Sequence, residues 1–333
     1  MKTVQRRRIS KHLIGLSFAA LALGLGSTGV MAQADYPTKP IKLVIPFPPG
    51  GATDVLGRLL AVELSAKLGQ PVVPENRPGA GAVVGASVVA NAPADGYTLL
   101  LGAAGILTLN PAIRKNLPYD SIKSFTPLGM MAELNMVLVS GNSTPGNNLK
   151  ELVEQVKAAP DKHTYGSFGT GSGAHFGAEM LKNAVGIQML HVPFNGSGPS
   201  LTALMGGQTS VAVDTVVATQ PLINAKKIKA IAVLSSQRLP NLPDVPTVAE
   251  SGYPGFDFSS WFALLAPAGL PNGIQRKLEK AIADVSGTPE TKKKFADIGL
   301  VYAYGDGAAT TARIERELPK MRALAARANI VAD

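Results

Sequence analysis

From residue 35 onward, the chain alternates short apolar runs with segments of helical periodicity. Ile41 to Ile45 is an apolar run of strand length, and the turn-forming segment Pro46 to Gly51 follows it. Leucines then repeat every fourth residue from Leu56 to Leu68, which places them on one face of a helix, and Gly69 is suited to end that helix. This alternation predicts repeated β-α units and a mostly parallel sheet.

The β-α units fall into two groups. The apolar runs Leu128 to Met131 and Met136 to Ser140 lead out of the first group, Ser259 to Leu265 leads back, and the helix Ala309 to Ala328 completes it. Two α/β lobes joined by two chain crossings are typical of a hinged binding protein. The predicted division is residues 1–34 as a signal peptide, 35–136 with 263–333 as the first lobe, and 137–262 as the second lobe.

The first 34 residues have the pattern of a secretory signal peptide. A basic stretch precedes the uncharged run Leu13 to Ala32, and Ala32-Gln33-Ala34 is a suitable cleavage site. Arg6-Arg7-Arg8 partly matches a twin-arginine signal, so both the Sec and the twin-arginine routes stay open, as does an uncleaved anchor helix. Because the chain has no cysteine to form a disulfide or carry a lipid, we expect a free periplasmic protein.

Composition excludes disorder and gives no support to nucleic-acid binding. Hydrophobic residues make up 46% of the chain and charged residues 17%, enough for cores of two medium domains. The formal charge is +9, but five of the 32 basic residues lie in the first eleven positions. Without residues 1–34 the charge falls to +4, and only 5% of the residues are aromatic, so no basic and aromatic surface is indicated.

Two glycine-rich segments imitate a dinucleotide-binding motif. Gly79 to Gly85 has one residue too many between its last two glycines, whereas Gly169 to Ala174 has the G-x-G-x-x-A spacing. No acidic residue lies between Glu179 and Asp214 to bind a ribose, so we predict no nucleotide cofactor. What remains is a glycine-rich turn that opens a helix, and such a turn presents N–H groups to an anion.

Turns of this kind recur after three predicted strands. They are Phe47 to Asp54, Gly169 to His175, and Pro193 to Gly198. Each alone is also explained as a helix cap without a ligand. Because the carboxyl ends of parallel strands share one sheet edge, three turns divided between two lobes predict an anion-binding cleft. His175 lies in the first turn of its helix, where it would either contact the ligand or pack in the core.

No enzyme or metal site is indicated. The mature chain has no G-x-S-x-G motif and no cysteine nucleophile, and its histidines lack metal-ligand spacing. The alternative from another class is a secreted hydrolase that uses Ser172, His175 and Asp214. A serine and a histidine three residues apart at a helix start rarely align as nucleophile and base, so we predict binding without catalysis.

Short motifs in order along nearly the whole mature chain carry a family resemblance. They are Tyr36-Pro37-Thr38-Lys39-Pro40-Ile41, Pro46-Phe47-Pro48-Pro49-Gly50-Gly51 with Asp54 and Arg58, Glu75-Asn76-Arg77-Pro78-Gly79-Ala80-Gly81, Ala94-Asp95-Gly96-Tyr97-Thr98-Leu99, Leu117-Pro118-Tyr119-Asp120, Val192-Pro193-Phe194, Gly206-Gly207-Gln208, and Trp261 with Ala266-Pro267-Ala268-Gly269-Leu270-Pro271. The sequence resembles the Bug-type solute-binding receptors of tripartite tricarboxylate transporters.

The resemblance implies a type II periplasmic binding-protein fold, whose two α/β lobes are joined by a two-strand hinge and close over a small carboxylate. It also implies delivery of that solute to membrane permease subunits, and a receptor that feeds a sensor kinase would share the fold and ligand. We expect a monomer that binds no nucleic acid, metal or cofactor. The implied ligand-binding residues are Phe47, Gly50, Gly51, Thr53, Asp54, Ala104, Thr170, Ser172, His175, Asn195 and Asp214.

Overall fold

The computed structural model describes residues 36–50 and 52–332. The predicted signal peptide and Gly51 lie outside the described residues. Among the helices of the described part, none is long and apolar enough to cross a bilayer.

Ten strands of the described residues form one mixed sheet. The strands are β1 Ile41–Ile45, β2 Val72–Asn76, β3 Thr98–Ala103, β4 Phe125–Gly141, β5 Thr164–Ser167, β6 Leu190–Pro193, β7 Val211–Thr215, β8 Ile228–Val233, β9 Ser259–Pro267 and β10 Val301–Asp306. Their order is β2-β1-β3-β9-β4-β7-β5-β6, and β8 and β10 also pair with β4.

The helices follow the strands along the chain. They are α1 Ala52–Leu68, α2 Val83–Ala90, α3 Asn110–Ile113, α4 Leu149–Ala158, α5 Gly173–Val185, α6 Ser197–Met205, α7 Val216–Asn224, α8 Asn272–Ser286, α9 Pro289–Asp297 and α10 Gly307–Ala328. The predicted leucine face of α1 is confirmed, since Leu56, Leu60 and Leu64 are each at most 1% exposed. Gly69, at φ +70°, follows the last helical residue, as predicted.

Strand β4 connects the two lobes of this α/β fold. Its residues Phe125 to Asn135 pair with β9 of the first lobe, and Met136 to Ser140 pair with β7 of the second. Within each lobe the β-α units give parallel pairs, β1 with β2 and β3, and β5 with β6 and β7. The strands β4, β9 and β10 run antiparallel to their neighbours, so the sheet is mixed rather than mostly parallel.

The sequence predicted two separate strands where the structure has one. Polar Glu133 and Asn135 interrupt the apolar pattern at this point. In the structure, Arg313 of α10 compensates Glu133, because its Nη1 lies 2.7 Å from Glu133 Oε1. Arg313 Nε lies 2.7 Å from Glu317 Oε1, and Trp261 Nε1 donates to Glu317 Oε2 at 2.8 Å. The polar residue that interrupts the sequence pattern is thus stabilised within β4 by a partner 180 residues distant in sequence.

Each lobe has its own apolar core. One core lies along β3 and β9, where Leu100, Trp261 and Leu265 pack together and are fully buried. In the second lobe, a larger cluster is centred on Tyr165 and Phe176. The end of α10 joins this second cluster through the buried side chains of Met321, Leu324 and Ala325. The C-terminal helix thus packs against the cores of both lobes.

We expect Arg313→Ala to lower the free energy of unfolding by about 3 kcal/mol, because two largely buried carboxylates would lose their common partner. The side chains of Arg313, Glu133 and Glu317 are only 14%, 25% and 21% exposed. Urea unfolding of the mature protein would measure the change. Arg316→Ala is the matched control, since Arg316 is exposed on the same helix and should change stability by about 0.5 kcal/mol at most. Equal effects of the two substitutions would contradict the assignment.

Candidate functional site

The loop after β1 is organised by the buried carboxylate of Asp54. Asp54 Oδ2 accepts from Gly50 N and from Arg58 Nε, both at 3.0 Å, and Oδ1 accepts from Asn76 Nδ2 at 2.9 Å. Asn76 Nδ2 also donates to Phe47 O at 3.1 Å. The hydrogen bond from Arg58, followed by that from Gly50, lowers the pKa of Asp54 to about 2. Asp54 therefore stays ionised and holds both ends of this loop.

The second turn lies between β5 and α5. Gly169 and Gly171 have φ values of +140° and +72°, a conformation that favours glycine. A Cβ at Gly171 would lie 2.5 Å from Ile113 Cδ1, so the position also lacks room for a side chain. Ser172 caps α5, and its Oγ accepts from His175 N at 3.3 Å. The predicted glycine-rich turn at a helix start is present in the structure.

These two turns enclose a cavity of about 380 Å³, the interlobe cavity. From the predicted ligand-binding set, Phe47 and Thr53 line it from the first lobe, and Thr170 and Ser172 line it from the second. The structure thus brings together four residues from two turns that are more than 100 positions apart in sequence. Gly50 lies in the first turn, where its N–H donates to Asp54. Their contact with a ligand stays a prediction.

The walls of the interlobe cavity are mainly apolar. Phe168 and Phe262 line it along with Phe47, and hydroxyl groups come from Thr53, Thr170, Ser172 and Ser260. Among the described residues that line it, Arg114 is the only charged one. An apolar cavity with hydroxyls and one guanidinium is suited to a small organic anion.

Arg114 is a cavity residue that the sequence analysis missed. It directly follows α3, and its Nε donates to Asn110 Oδ1 at 3.5 Å. A π-helical turn, Gly105 to Leu109, precedes α3 and brings this segment to the cavity. The available signal was position, because the segment follows the carboxyl end of β3 just as the two turns follow β1 and β5.

Ala104 lies beside the interlobe cavity rather than on its wall. Its neighbours Ala103 and Gly105 line that cavity, whereas Ala104 lines a separate groove of about 590 Å³ along α10. Ala104 is 4% exposed and precedes the π-helical turn. Its predicted part in ligand binding stays a prediction.

His175 is buried behind the glycine-rich turn. Its Nδ1 accepts from Gly171 N at 3.2 Å, and its ring stacks on His191 with centroids 3.8 Å apart. Burial, with a smaller effect of Lys182, lowers the pKa of His175 to about 4. The ring is therefore neutral near pH 7. It is not among the residues that line the interlobe cavity.

Asn195 and Asp214 also lie away from the interlobe cavity wall. Asn195 is exposed, whereas Asp214 is fully buried. Asp214 Oδ1 accepts from Ser197 Oγ and Thr215 N, both at 2.7 Å. Asp214 Oδ2 has no hydrogen-bond partner among the described residues, and burial raises the pKa of this carboxyl to about 6. The next residue, Thr215, caps α7 by accepting from Ala218 N.

The residues of the alternative hydrolase are not arranged as a catalytic triad. Ser172 Oγ accepts from the backbone N of His175, while the ring Nδ1 of His175 accepts from Gly171. Asp214 bonds to Ser197 and Thr215 instead of orienting an imidazole. A triad requires the serine to bond the histidine ring and the carboxylate to orient it. In addition, no three His, Asp or Glu side chains converge as a metal site in residues 36–50 and 52–332.

We expect Asp214→Asn to become more stable relative to the unsubstituted protein as the pH rises from 4 to 7. Because the native pKa of about 6 exceeds the ordinary 3.8, the favourable contribution of Asp214 is present at low pH and lost as the pH rises through 6. The shift between the two stability curves should be on the order of 2–3 kcal/mol. Urea unfolding at several pH values measures it, with exposed Asp161→Asn as control. Parallel curves for Asp214→Asn and the unsubstituted protein would contradict the prediction.

Comparisons with known proteins confirm the family resemblance. The family model described as tripartite tricarboxylate transporter family receptor matches residues 56–330. BugT of Bordetella pertussis is 36% identical over 285 residues, which cover 84% of this chain and 87% of BugT.

Two solved structures with bound ligands are similar over most of their length. The structure of R. palustris Rpa4515 with adipate has a TM-score of 0.79 and 34% identity, covering 89% of this chain and 99% of that one. MatC from Rhodopseudomonas palustris with bound malate has a TM-score of 0.73 and 31% identity, covering 87% and 99%. Because the family model matches most of its length, the chain belongs to the receptor family of the tripartite tricarboxylate transporters.

Proposed function

We propose that this protein captures a small carboxylate in the interlobe cavity and delivers it to membrane permease subunits. The observation that carries the proposal is the pairing of two positive-φ turns, at Gly50 and at Gly169 to Gly171, around one cavity that contains Arg114. The N–H groups of Gly50 and Gly171 are bonded to Asp54 and His175. The cavity donors suited to an anion are the Arg114 guanidinium and the hydroxyl groups of Thr53, Thr170 and Ser172. The adipate and malate bound by two relatives support a carboxylate as the ligand.

Phe47, Thr53, Thr170 and Ser172 are the proposed contacts with best support, since all four line the interlobe cavity. The hydroxyl groups of the last three are suited to donate to carboxylate oxygens, and the ring of Phe47 to cover an apolar chain. The remaining predicted residues are proposed as parts of the site that position or surround its contacts. They are Gly50, Gly51, Asp54, Ala104, His175, Asn195 and Asp214.

Capture would proceed by closure of the lobes. We place the first crossing at residue 136/137, and the change of β4 partners between Asn135 and Met136 supports this boundary. The return crossing is proposed at 262/263, which lies within β9. Closure would bring Thr170 and Ser172 onto a carboxylate held by the first lobe and exclude water, which strengthens charge-assisted hydrogen bonds.

Calorimetry of the mature protein with adipate, malate, a sugar and a neutral diol of adipate's length tests capture. We expect binding of at least one carboxylate and none of the sugar or diol. Gly171→Ala should weaken that binding by about tenfold or more, because a side chain at φ +72° is strained and its Cβ would lie 2.5 Å from Ile113 Cδ1, so the turn or the Ile113 side chain on the cavity wall must shift.

Gly186→Ala is the matched control for this substitution. Gly186 ends the same helix at φ +68°, and a Cβ there would meet nothing within 4 Å, so alanine should carry similar backbone strain without altering the turn. Equal loss of affinity in the two variants would mean that strain alone, rather than the turn, determines the effect. Binding of the diol as tightly as the diacid would contradict an anion site.

Delivery is tested in proteoliposomes that contain the candidate permease subunits. We expect uptake of the radiolabelled carboxylate only when the mature receptor is added, and uptake should saturate with receptor concentration. A receptor with Gly171→Ala should support less uptake at the same ligand concentration, in proportion to its lost affinity. Uptake that is independent of the receptor would contradict the delivery role, even if the receptor binds the ligand.

A further inference from the structure

The glycine-rich turn is held from behind by hydrogen bonds at both ends. At one end, Gly169 N donates to Ser167 Oγ at 3.2 Å, and this hydroxyl is also 3.2 Å from Gly169 O. At the other end, Gly171 N donates to His175 Nδ1 at 3.2 Å. A segment with two glycines at positive φ has wide conformational freedom, so these bonds select one shape from many.

Two stacked histidines connect these ends. His191 Nε2 lies 2.7 Å from Ser167 Oγ, and the His191 ring stacks on His175 with centroids 3.8 Å apart and planes 25° apart. The His191 ring also stacks on Tyr165 at 4.8 Å and 17°. Ser167 is fully buried and His175 is 6% exposed, so the stack is a rigid support inside the second lobe.

The charged groups around the stack are paired with each other. Glu179 Oε1 accepts from Tyr165 Oη at 2.5 Å and from Lys182 Nζ at 2.6 Å. The titratable groups around His175 are Tyr165 of β5, His191 of β6 and Lys182 of α5, and Glu179 is bonded to Tyr165 and Lys182. Glu179 is engaged by a phenol and an ammonium, so it is poorly placed to stabilise an imidazolium as well.

The hydrogen bond from Gly171 requires a neutral ring. Nδ1 can accept a hydrogen bond from the Gly171 N–H only when Nδ1 itself carries no hydrogen. The neutral His175 ring then has its single N–H at Nε2. Protonation of His175 would place two donors against each other at Gly171 and a positive charge 3.8 Å from the His191 ring. Burial lowers the pKa of both histidines to about 4, so the supporting form is present at neutral pH.

The geometry points to His175 as a positioning residue, not a ligand contact: as a neutral acceptor stacked on His191, it holds the Gly169 to Ser172 turn in its binding shape. This inference rests on the proposed function, because the turn matters only if the interlobe cavity binds a ligand. It also implies that acid releases the ligand by uncoupling the turn from the stack. The N–H of Gly171 is then occupied by the protein, and it is not one of the groups offered to the anion.

Two substitutions of His175 separate its role as a hydrogen-bond acceptor from its packing in the core. Asparagine can place Oδ1 near the position of Nδ1 and does not titrate, whereas leucine fills similar space but accepts no hydrogen bond. At pH 7, with adipate or malate as the probe, we expect His175→Asn to bind within about threefold of the unsubstituted protein and His175→Leu to bind about tenfold or more weakly. His163→Asn, distant from the turn and bonded to Ser210, should change nothing.

The pH dependence of the affinity adds a second measurement, which would not change if His175 only packed in the core. Between pH 7 and 4 the ratio of affinities, unsubstituted protein over His175→Asn, should fall, and protonation of the ligand cancels in this ratio. The proposal would be overturned if His175→Leu bound the carboxylate as tightly as the unsubstituted protein. It would also be overturned if the ratio of affinities stayed constant between pH 7 and 4.

A ligand-free measurement keeps this proposal distinct from the proposed function. The amide signal of Gly171 in NMR spectra should titrate between pH 7 and 4 in the unsubstituted protein and stay fixed in His175→Asn. If no carboxylate binds but this signal titrates, the proposed function fails while the support of the turn by His175 stands. A Gly171 amide that is insensitive to pH in both proteins would overturn the positioning role.

Discussion

The continuous pairing of β4 with strands of both lobes is the constraint on which the rest of the structure depends. Glu133 lies in the middle of this strand, and its carboxylate is stabilised by Arg313, 2.7 Å away on α10. Because β4 continues, its two ends find different partners, β9 in the first lobe and β7 in the second. The relation between the lobes, and so the shape of the interlobe cavity, depends on this continuity.

The two turns that border the cavity follow the same physical logic. In each, the backbone faces the cavity, and a buried polar side chain holds it from behind: Asp54 for the first turn and His175 for the second. Opposite protonation states suit the two roles, since Asp54 accepts N–H groups as an anion and His175 accepts one as a neutral base. Residues that resemble ligand contacts in sequence thus support the contacts of their neighbours.

Much of the fold was predictable because local patterns agree with the final packing. The leucine face of α1 and the positive-φ Gly69 after it are determined by residues close together in sequence. By contrast, Glu133 in β4 is paired with Arg313, and β10, which the sequence did not predict, pairs with β4. Such elements depend on partners distant in sequence, and a local pattern carries no trace of them.

The candidate site also contains parts that local sequence predicts and parts that depend on distant residues. The turns were predictable, because glycines at a helix start are a local sequence signal. Arg114, by contrast, is brought to the cavity by a π-helical turn, which the hydrophobic periodicity of the sequence does not indicate. This division bears on ligand choice. Under the proposed function, the Arg114 guanidinium and the hydroxyl groups of Thr53, Thr170 and Ser172 would select anions as a class. Selection among carboxylates would then depend on side chains, on the position of the Arg114 guanidinium and on the apolar walls formed by Phe47, Phe168 and Phe262.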